Sequence, residues 1–362
     1  LVIEGEPPTV SSVTATTANG SFKAGGVVAI TITFSEVVTV TGTPQLTLET
    51  GSTDAVVNYA SGSGGATLTF NYTVAAGENS SDLDYDSTNA LALNGGTITD
   101  VPGNAATLTL AAPGASNSLG VGKALVIDGV VPTVSSVTAT TADGSYKSGD
   151  SLAITVTFSE AMTVTGNPQL TLETGSTDAV ASYASGSGGT TLTFNYIVAA
   201  GENSSDLDYR DTTALALNSG TIADAVGNSA TLTLAAPSAS NSLGANKALI
   251  IDTAIPTVSN VSSIASDGYH GLGAVIAVTV TFSEAVTVTG IPQLTLETGT
   301  TDAVVDYTSG TGEPTLIFNY IVAANQTSSD LDYRDTTALA LNSGTITDAV
   351  GNTATLTLAT PG

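Results

Sequence analysis

The sequence predicts an all-β protein built from three tandem antiparallel β-sandwiches. Three observations support this fold class: the chain contains three copies of one sequence, apolar and polar residues alternate within each copy, and Gly, Ser, Asn and Asp cluster between the alternating runs. Of the 362 residues, 41% are hydrophobic, so each copy can bury a core of its own. No window carries a sustained helical period, which excludes a mainly helical fold.

The threefold repetition has no gaps. The tetrapeptide LVIE at residues 1–4 returns 124 residues later as LVID at 125–128, and after the same interval as LIID at 249–252. Such a repeat is too long for a solenoid unit that needs its neighbours to form a core, so each copy is predicted to be a separate domain. The predicted domains are 5–128, 129–252 and 253–362. Residues 1–4 are predicted to be the last strand of a preceding repeat, and the third domain is predicted to lack its final strand.

Alternating apolar residues define the predicted strands of each repeat. In the first repeat, strands with one buried face are predicted at 28–34 and 68–74, and shorter strands at 46–48 and 108–110. Turn residues separate these runs, as in the Gly-rich segment at 61–65. About seven short strands in a little over a hundred residues are typical of an immunoglobulin-like antiparallel β-sandwich.

The charge balance excludes several classes of function. The chain has 32 acidic residues against 6 Lys or Arg, a formal net charge of −26, and this excludes binding of nucleic acid or of an anionic membrane surface. No run approaches the roughly 20 apolar residues of a membrane span, so no membrane insertion is expected in this segment. With no Cys, no Trp and one His, the usual groups for nucleophilic or zinc chemistry are missing, and the protein is predicted not to be an enzyme. A hydrolase that uses only carboxylates and a metal stays open.

Acidic residues are predicted to gather where successive repeats meet. Antiparallel strands alternate in direction, so the strand that ends at Glu36 and the loop at 100–104 point to the same pole of the sandwich, where the linker from the preceding repeat also arrives. Each repeat should therefore bring together two residues of the loop, one strand-end Glu and one linker acid. The three predicted groups are Glu4, Glu36, Asp100 and Asn104; Asp128, Glu160, Asp224 and Asn228; and Asp252, Glu284, Asp348 and Asn352.

Two further acidic pairs are predicted at the opposite pole, facing the next junction. They are Asp82 with Asp84, and Asp206 with Asp208. Within each pair, the two side chains lie on one face of a strand about 6.6 Å apart. Either metal binding or simple solvation accounts for these pairs.

Calcium is the predicted occupant of the junction groups. Several carboxylates in one place repel one another unless they are protonated or bridged, and Ca²⁺ takes six to eight oxygen ligands of the kind found here. Transition metals would favour His and Cys, which are nearly absent. The alternative is that these residues are soluble turn residues whose side chains cap loops without any metal.

Three motifs carry a family resemblance over the whole chain: I-D-x-x-x-P-T-V-S-x-V at the start of a repeat, T-F-S-E-x-V/M-x-V-T-G in its first half, and I-T/A-D-x-x-G-N-x-A-T-L-T-L near its end. Together they resemble the tandem bacterial immunoglobulin-like, or cadherin-like, repeats of large surface proteins and adhesins. The resemblance implies an extracellular stalk on a bacterial cell surface. One departure is Glu4, which stands where the other copies have a linker Asp.

The sequence therefore predicts a structural stalk or filament segment that calcium rigidifies at its inter-domain junctions. The alternative function is an adhesive or ligand-binding module with its specificity in the loops of the third repeat, which differ from the other copies at 267–273 and 325–327. The predicted partners are the adjacent identical repeats. Two explanations stay open for the incomplete third repeat: the chain is a window of a longer array, or residues 1–4 of one subunit complete the third repeat of the next by strand addition, which would give a head-to-tail polymer.

Overall fold

A computed structural model describes residues 5–362 and confirms the predicted fold class. The described chain is all-β, with three sandwich-like units in series and only two helices, each of four residues. Residues 1–4 lie outside the described residues, so the predicted strand there and the predicted ligand Glu4 stay predictions.

The first unit contains ten strands and one helix. In chain order they are β1 Val10–Ala15, β2 Gly20–Lys23, β3 Val27–Thr41, β4 Gln45–Leu48, β5 Ala55–Ser61, β6 Gly65–Thr73, β7 Asn79–Ser80, β8 Leu91–Ala92, β9 Thr97–Thr99, α1 Leu119–Gly122 and β10 Leu125–Asp128.

The second unit repeats this order of elements. They are β11 Val134–Ala139, β12 Gly144–Tyr146, β13 Ser151–Thr165, β14 Gln169–Leu172, β15 Ala179–Ser185, β16 Gly189–Ile197, β17 Asn203–Ser204, β18 Leu215–Ala216, β19 Thr221–Ala223, α2 Leu243–Asn246 and β20 Leu249–Asp252.

The third unit has fewer elements among its described residues. They are β21 Val258–Ser263, β22 Val275–Thr289, β23 Gln293–Glu297, β24 Ala303–Ser309, β25 Glu313–Ile321, β26 Asp332–Tyr333, β27 Leu339–Ala340 and β28 Thr345–Thr347.

Each of the first two units consists of a large sheet and a small one. In the first unit, the large sheet has the order β1-β3-β6-β5-β4-β8, with β9 paired to the far end of β3, and the small sheet has the order β2-β10-β7. The large sheet is antiparallel, whereas β10 runs parallel to β2 and antiparallel to β7. The predicted antiparallel sandwich thus includes one parallel pairing, made by the strand that closes the unit.

The alternating pattern places the core as predicted. The side chains of Val28, Ile30, Ile32 and Phe34 in β3 are all buried, and those of Leu68, Phe70 and Tyr72 in β6 face them from the paired strand. Each unit has its own cluster of buried apolar residues. This is the arrangement expected of sandwiches that fold as separate domains.

Two strand predictions need correction. The strand predicted to end at Glu36 continues to Thr41, because the register between β3 and β6 shifts between Thr33 and Val38 and the strand then pairs with β9. The strand predicted at 108–110 does not form. Isolated bridges form just before this segment, at Ala105 and Thr107. The segment itself is held by the N–H of Leu110, which donates to the carbonyl of Thr88 at 2.9 Å, and by the Tyr85 hydroxyl, which donates to the carbonyl of Ala111 at 2.7 Å.

Candidate metal centre

The structure gathers three carboxylates at each of the two described junctions. Asp128, Glu160 and Asp224 form the first group, and Asp252, Glu284 and Asp348 form the second. Within each group, one carboxylate oxygen of every residue lies within 4.8 Å of the others. Each group therefore combines the last residue of one repeat's closing strand with two acidic residues of the next repeat.

The local fold explains why these side chains meet. Asp128 is the last residue of β10, and Asp224 follows β19 directly. Glu160 lies in β13 where its register with β16 shifts between Thr157 and Met162. A β-bulge of this kind bends the strand and re-aims its side chains. The same shift surrounds Glu284 in β22.

The loop after β19 holds Asp224 in one orientation. Oδ1 of this buried carboxylate accepts hydrogen bonds from the backbone N–H groups of Val226, Gly227 and Asn228, at 2.6 to 2.9 Å. The Asn228 amide donates to Oδ2 of Asp224 at 2.7 Å and to the backbone carbonyl of Asp128 at 2.8 Å. Asn228 therefore ties the loop of the second repeat to the last residue of the first. Asn352 makes the same contacts with Asp348 and Asp252.

The surroundings of Glu160 and Glu284 disfavour the ionised form of each carboxylate. Burial raises the pKa of Glu160 above its ordinary value, and the nearby charges of Asp128 and Asp224 raise it further. The pKa of Glu284 is raised for the same reasons, by burial and then by Asp252 and Asp348. A cation between the three carboxylates would remove this repulsion.

The donor set suits a hard divalent cation. All three side chains of each group offer oxygen, and neither group of the described chain includes a His. A pocket of about 370 Å³ lies beside the first group and is also lined by Asn79 and Ser80. Ca²⁺ takes six to eight oxygen ligands and readily completes its shell with loop carbonyls and water. Mg²⁺ demands a stricter octahedral arrangement at shorter distances.

A lysine also crosses each junction. The ammonium group of Lys23 donates to the carbonyl of Gly227 at 3.0 Å, and that of Lys147 donates to the carbonyl of Gly351 at 2.9 Å. Both carbonyls belong to the loops that hold Asp224 and Asp348. Sequence reasoning did not place these lysines at the junctions. The available signal was their recurrence at the same position of the first two repeats, where the third repeat has Gly271.

At the amino-terminal pole of the first repeat, the structure describes only part of the predicted group. Asp100 is buried and accepts hydrogen bonds from the backbone of Gly103 and from the backbone and side chain of Asn104. Burial by itself would raise the pKa of Asp100. The hydrogen bonds, above all those from Asn104, outweigh this effect and hold the pKa of Asp100 below its usual range. Glu36 lies half-buried in β3, and the linker acid Glu4 is outside the described residues.

The Asp-Leu-Asp pairs occupy a different place. Oδ2 of Asp84 accepts a hydrogen bond from the backbone of Gly114 and lies beside Gly120 in α1. Asp208 accepts one from the backbone of Ser238, and both it and Asp206 lie beside Gly244 in α2. The two acidic groups of the described chain do not include Asp82, Asp84, Asp206 or Asp208. Asp84 and Asp208 hold the segments before the short helices within their own repeats.

Comparisons with known proteins give little guidance. No family model matches the chain, and no curated protein matches it. Among solved structures, the chain is similar to a protein from Corynebacterium diphtheriae that is described as a putative membrane anchored protein. The two share 10% sequence identity, the match covers 90% of this chain and 85% of that chain, and the TM-score is 0.21. A TM-score this low supports no conclusion about function. No helix within residues 5–362 is long and apolar enough to cross a membrane.

Proposed function

We propose that this chain is a non-enzymatic, extracellular structural segment of a bacterial surface protein, a stalk whose junctions calcium rigidifies. The observation that carries the proposal is the composition of the two acidic groups. In each group, one carboxylate ends the closing strand of one repeat and two belong to the next. A cation bound there would link two successive domains directly.

The mechanical role follows from this position. Bending a junction would separate Asp128 from Glu160 and Asp224, and a cation held by all three would resist that movement by the free energy of its binding. The hydrogen bonds of Asn228 and Lys23 act across the same junction without metal. The Asn228 hydrogen bond is uncharged and contributes about 0.5–1.5 kcal/mol, whereas the bond from the charged Lys23 ammonium group contributes about 1.5–3 kcal/mol. Calcium bound by the three carboxylates would add its own binding free energy to these contacts.

The repeats themselves support the role of a spacer. The first two units have the same order of elements and the same closing arrangement, and every described junction has the same acidic group. A stalk needs many similar units in series, whereas a recognition domain is expected to differ from its neighbours. The extracellular bacterial location depends on the resemblance of the three repeat motifs to surface-protein repeats. It also suits a calcium site, because extracellular calcium modules bind in the range of about 10⁻⁴ to 10⁻³ M.

Calorimetric titration tests whether calcium binds. We expect at least two Ca²⁺ ions per chain, one for each described junction, with Mg²⁺ binding more weakly because the groups do not enforce octahedral geometry. The titration should be run in parallel on a chain with two exposed acids neutralised, Asp54→Asn with Glu313→Gln, which should bind the same number of ions. Absence of binding heat at about 10 mM calcium, well above that affinity range, would contradict the proposal.

A further inference from the structure

Two of the four lysines of the chain reach from one repeat into the next. Lys23 is the last residue of β2, and it lies beside Asp128 in the parallel register of β2 and β10. Its ammonium group donates to the carbonyl of Gly227 in the following unit at 3.0 Å. Lys147 makes the same contact with Gly351 at 2.9 Å. The contact therefore recurs at both described junctions.

These two lysines do not neutralise the acidic groups beside them. The ion pairs of the described chain involve Arg210, Lys247 and Arg334, and none joins Lys23 or Lys147 to a carboxylate. Opposite charges attract, so an ammonium group next to three carboxylates would ordinarily pair with one of them. Each lysine binds a neutral backbone carbonyl instead. The lysines therefore do not fill the acidic groups in place of an ion.

Gly227 connects the lysine to a candidate ion ligand. Its carbonyl accepts the hydrogen bond from Lys23, and its N–H donates to Oδ1 of Asp224 at 2.6 Å. Its backbone has a φ of +92°, which favours glycine and aims the carbonyl at the preceding unit. Gly351 joins Lys147 to Asp348 in the same way, with an N–H contact of 2.7 Å. Each lysine thus acts on an acidic side chain through a single residue.

A second contact holds the same loop to a different strand. The Asn228 amide donates to the backbone carbonyl of Asp128, at the end of β10, while Lys23 binds Gly227 from the end of β2. Neighbouring strands of a sheet lie about 4.8 Å apart. Two contacts with that separation resist rotation of one unit against the other, which a single contact would allow.

We propose that Lys23 and Lys147 are positioning residues for the junction ions. Each seats the loop of the following repeat so that Asp224 or Asp348 lies within reach of the ion before the ion binds. The inference rests on the proposed function, because it concerns the same calcium sites. A site arranged in advance loses less conformational freedom on binding and therefore binds its ligand more tightly.

The direction of the effect separates positioning from simple electrostatics. An ammonium group near three carboxylates repels an incoming cation, so its removal should strengthen calcium binding if only its charge mattered. Loss of positioning predicts weaker binding. The two explanations therefore predict opposite changes for the same substitution.

Calorimetric titration of calcium measures this change. Glu284→Gln weakens the second site, so on this background the titration reports mainly the first. There, Lys23→Met should lower the affinity about three- to tenfold, because an exposed charge-assisted hydrogen bond is lost and only part of its free energy reaches the ion site. Lys23→Arg, which can still donate to the carbonyl, should retain most of the affinity.

Lys123→Met is the matched control. The ammonium group of Lys123 also donates to a backbone carbonyl, that of Thr17 at 2.8 Å, but within its own unit. This variant loses the same charge and should bind calcium as the parent does. Unchanged or tighter binding in Lys23→Met, or an equal loss in Lys123→Met, would overturn the proposal. A parent chain that takes up no calcium would instead contradict the proposed function.

A measurement without calcium tests the positioning itself. The chain has no Cys, so Asn71→Cys with Asn195→Cys places two spin labels at corresponding exposed positions of β6 and β16. Electron paramagnetic resonance in EDTA should show a broader distribution of label distances when Lys23→Met is added. Distributions of equal width with and without Lys23→Met would overturn the proposal, whether or not calcium binds.

Discussion

Replacing Glu160 and Glu284 with Gln should weaken calcium binding at both junctions by at least about tenfold each, since every site loses a direct carboxylate ligand. The side chains keep their size, and the neighbouring loops keep the hydrogen bonds that Asp224 and Asp348 accept. Calcium titration by calorimetry measures the loss. The matched control is the variant Asp54→Asn with Glu313→Gln, which removes the same charge from exposed positions outside both groups.

Without calcium, the same variant should be more stable than the parent chain near neutral pH. Burial and the neighbouring Asp charges raise the pKa of Glu160 and Glu284 in the folded state, so ionising them costs more there than in the unfolded chain. This penalty is present above the raised pKa and fades as the pH falls through it towards the ordinary value of 4.5. The stability difference between variant and parent in EDTA should therefore shrink on acidification.

The expected reversal of sign distinguishes a metal site from a cluster of solvated acids. In thermal unfolding, the Gln variant should have a higher melting temperature than the parent in EDTA and a lower one in calcium. A melting temperature below that of the parent in both conditions would mean that Glu160 and Glu284 stabilise the junctions through contacts of their own. A variant that binds calcium as the parent does would contradict the assignment of these ligands.

Leu249→Ala should lower the free energy of unfolding of the second unit by about 2–5 kcal/mol, the usual cost of emptying a fully buried Leu site. Leu249 opens the closing strand β20, is fully buried in the core of this unit, and its carbonyl accepts a hydrogen bond from the N–H of Leu207. The three units have separate cores, so hydrogen exchange resolved along the chain is the measurement that locates the effect.

The neighbouring residue provides the control for this prediction. Ile250 is 40% exposed on the other face of β20, so Ile250→Ala should change stability far less. Because β20 carries Asp252 to the second junction, Leu249→Ala should also weaken calcium binding there and leave the first junction unchanged. Equal losses for the two substitutions would show that the closing strand is not anchored by its inward face.

The strongly alternating parts of the fold were predictable from the sequence. The run from Val28 to Phe34 has a period of two, and its apolar side chains are buried as that period requires. The junction groups were also predicted to share a pole, and the structure places the carboxylates of Asp128, Glu160 and Asp224 within reach of one another. The alternating direction of successive antiparallel strands was enough to predict that these residues share a pole. Their role as calcium ligands stays a prediction.

Other features left only weak signals in the sequence. The helix α1 has four residues, too few to show a helical period, and its main mark is Ser118, whose hydroxyl accepts a hydrogen bond from the N–H of Val121. Lys23 meets Gly227 in the next repeat, and a contact of a long side chain between two domains follows no local pattern. Asp84 was predicted to face the next junction, but binds the backbone of Gly114 in its own repeat.

Small-angle scattering of the unmodified chain, with calcium and then with EDTA, tests the central claim most directly. A stalk stiffened at its junctions should have a larger maximum dimension and a narrower distribution of shapes in calcium, while circular dichroism shows the same strand content in both conditions. Restoring calcium should restore the extended form. Identical scattering curves in calcium and EDTA, from a chain that calorimetry shows to be loaded with the ion, would contradict calcium as the source of stiffness.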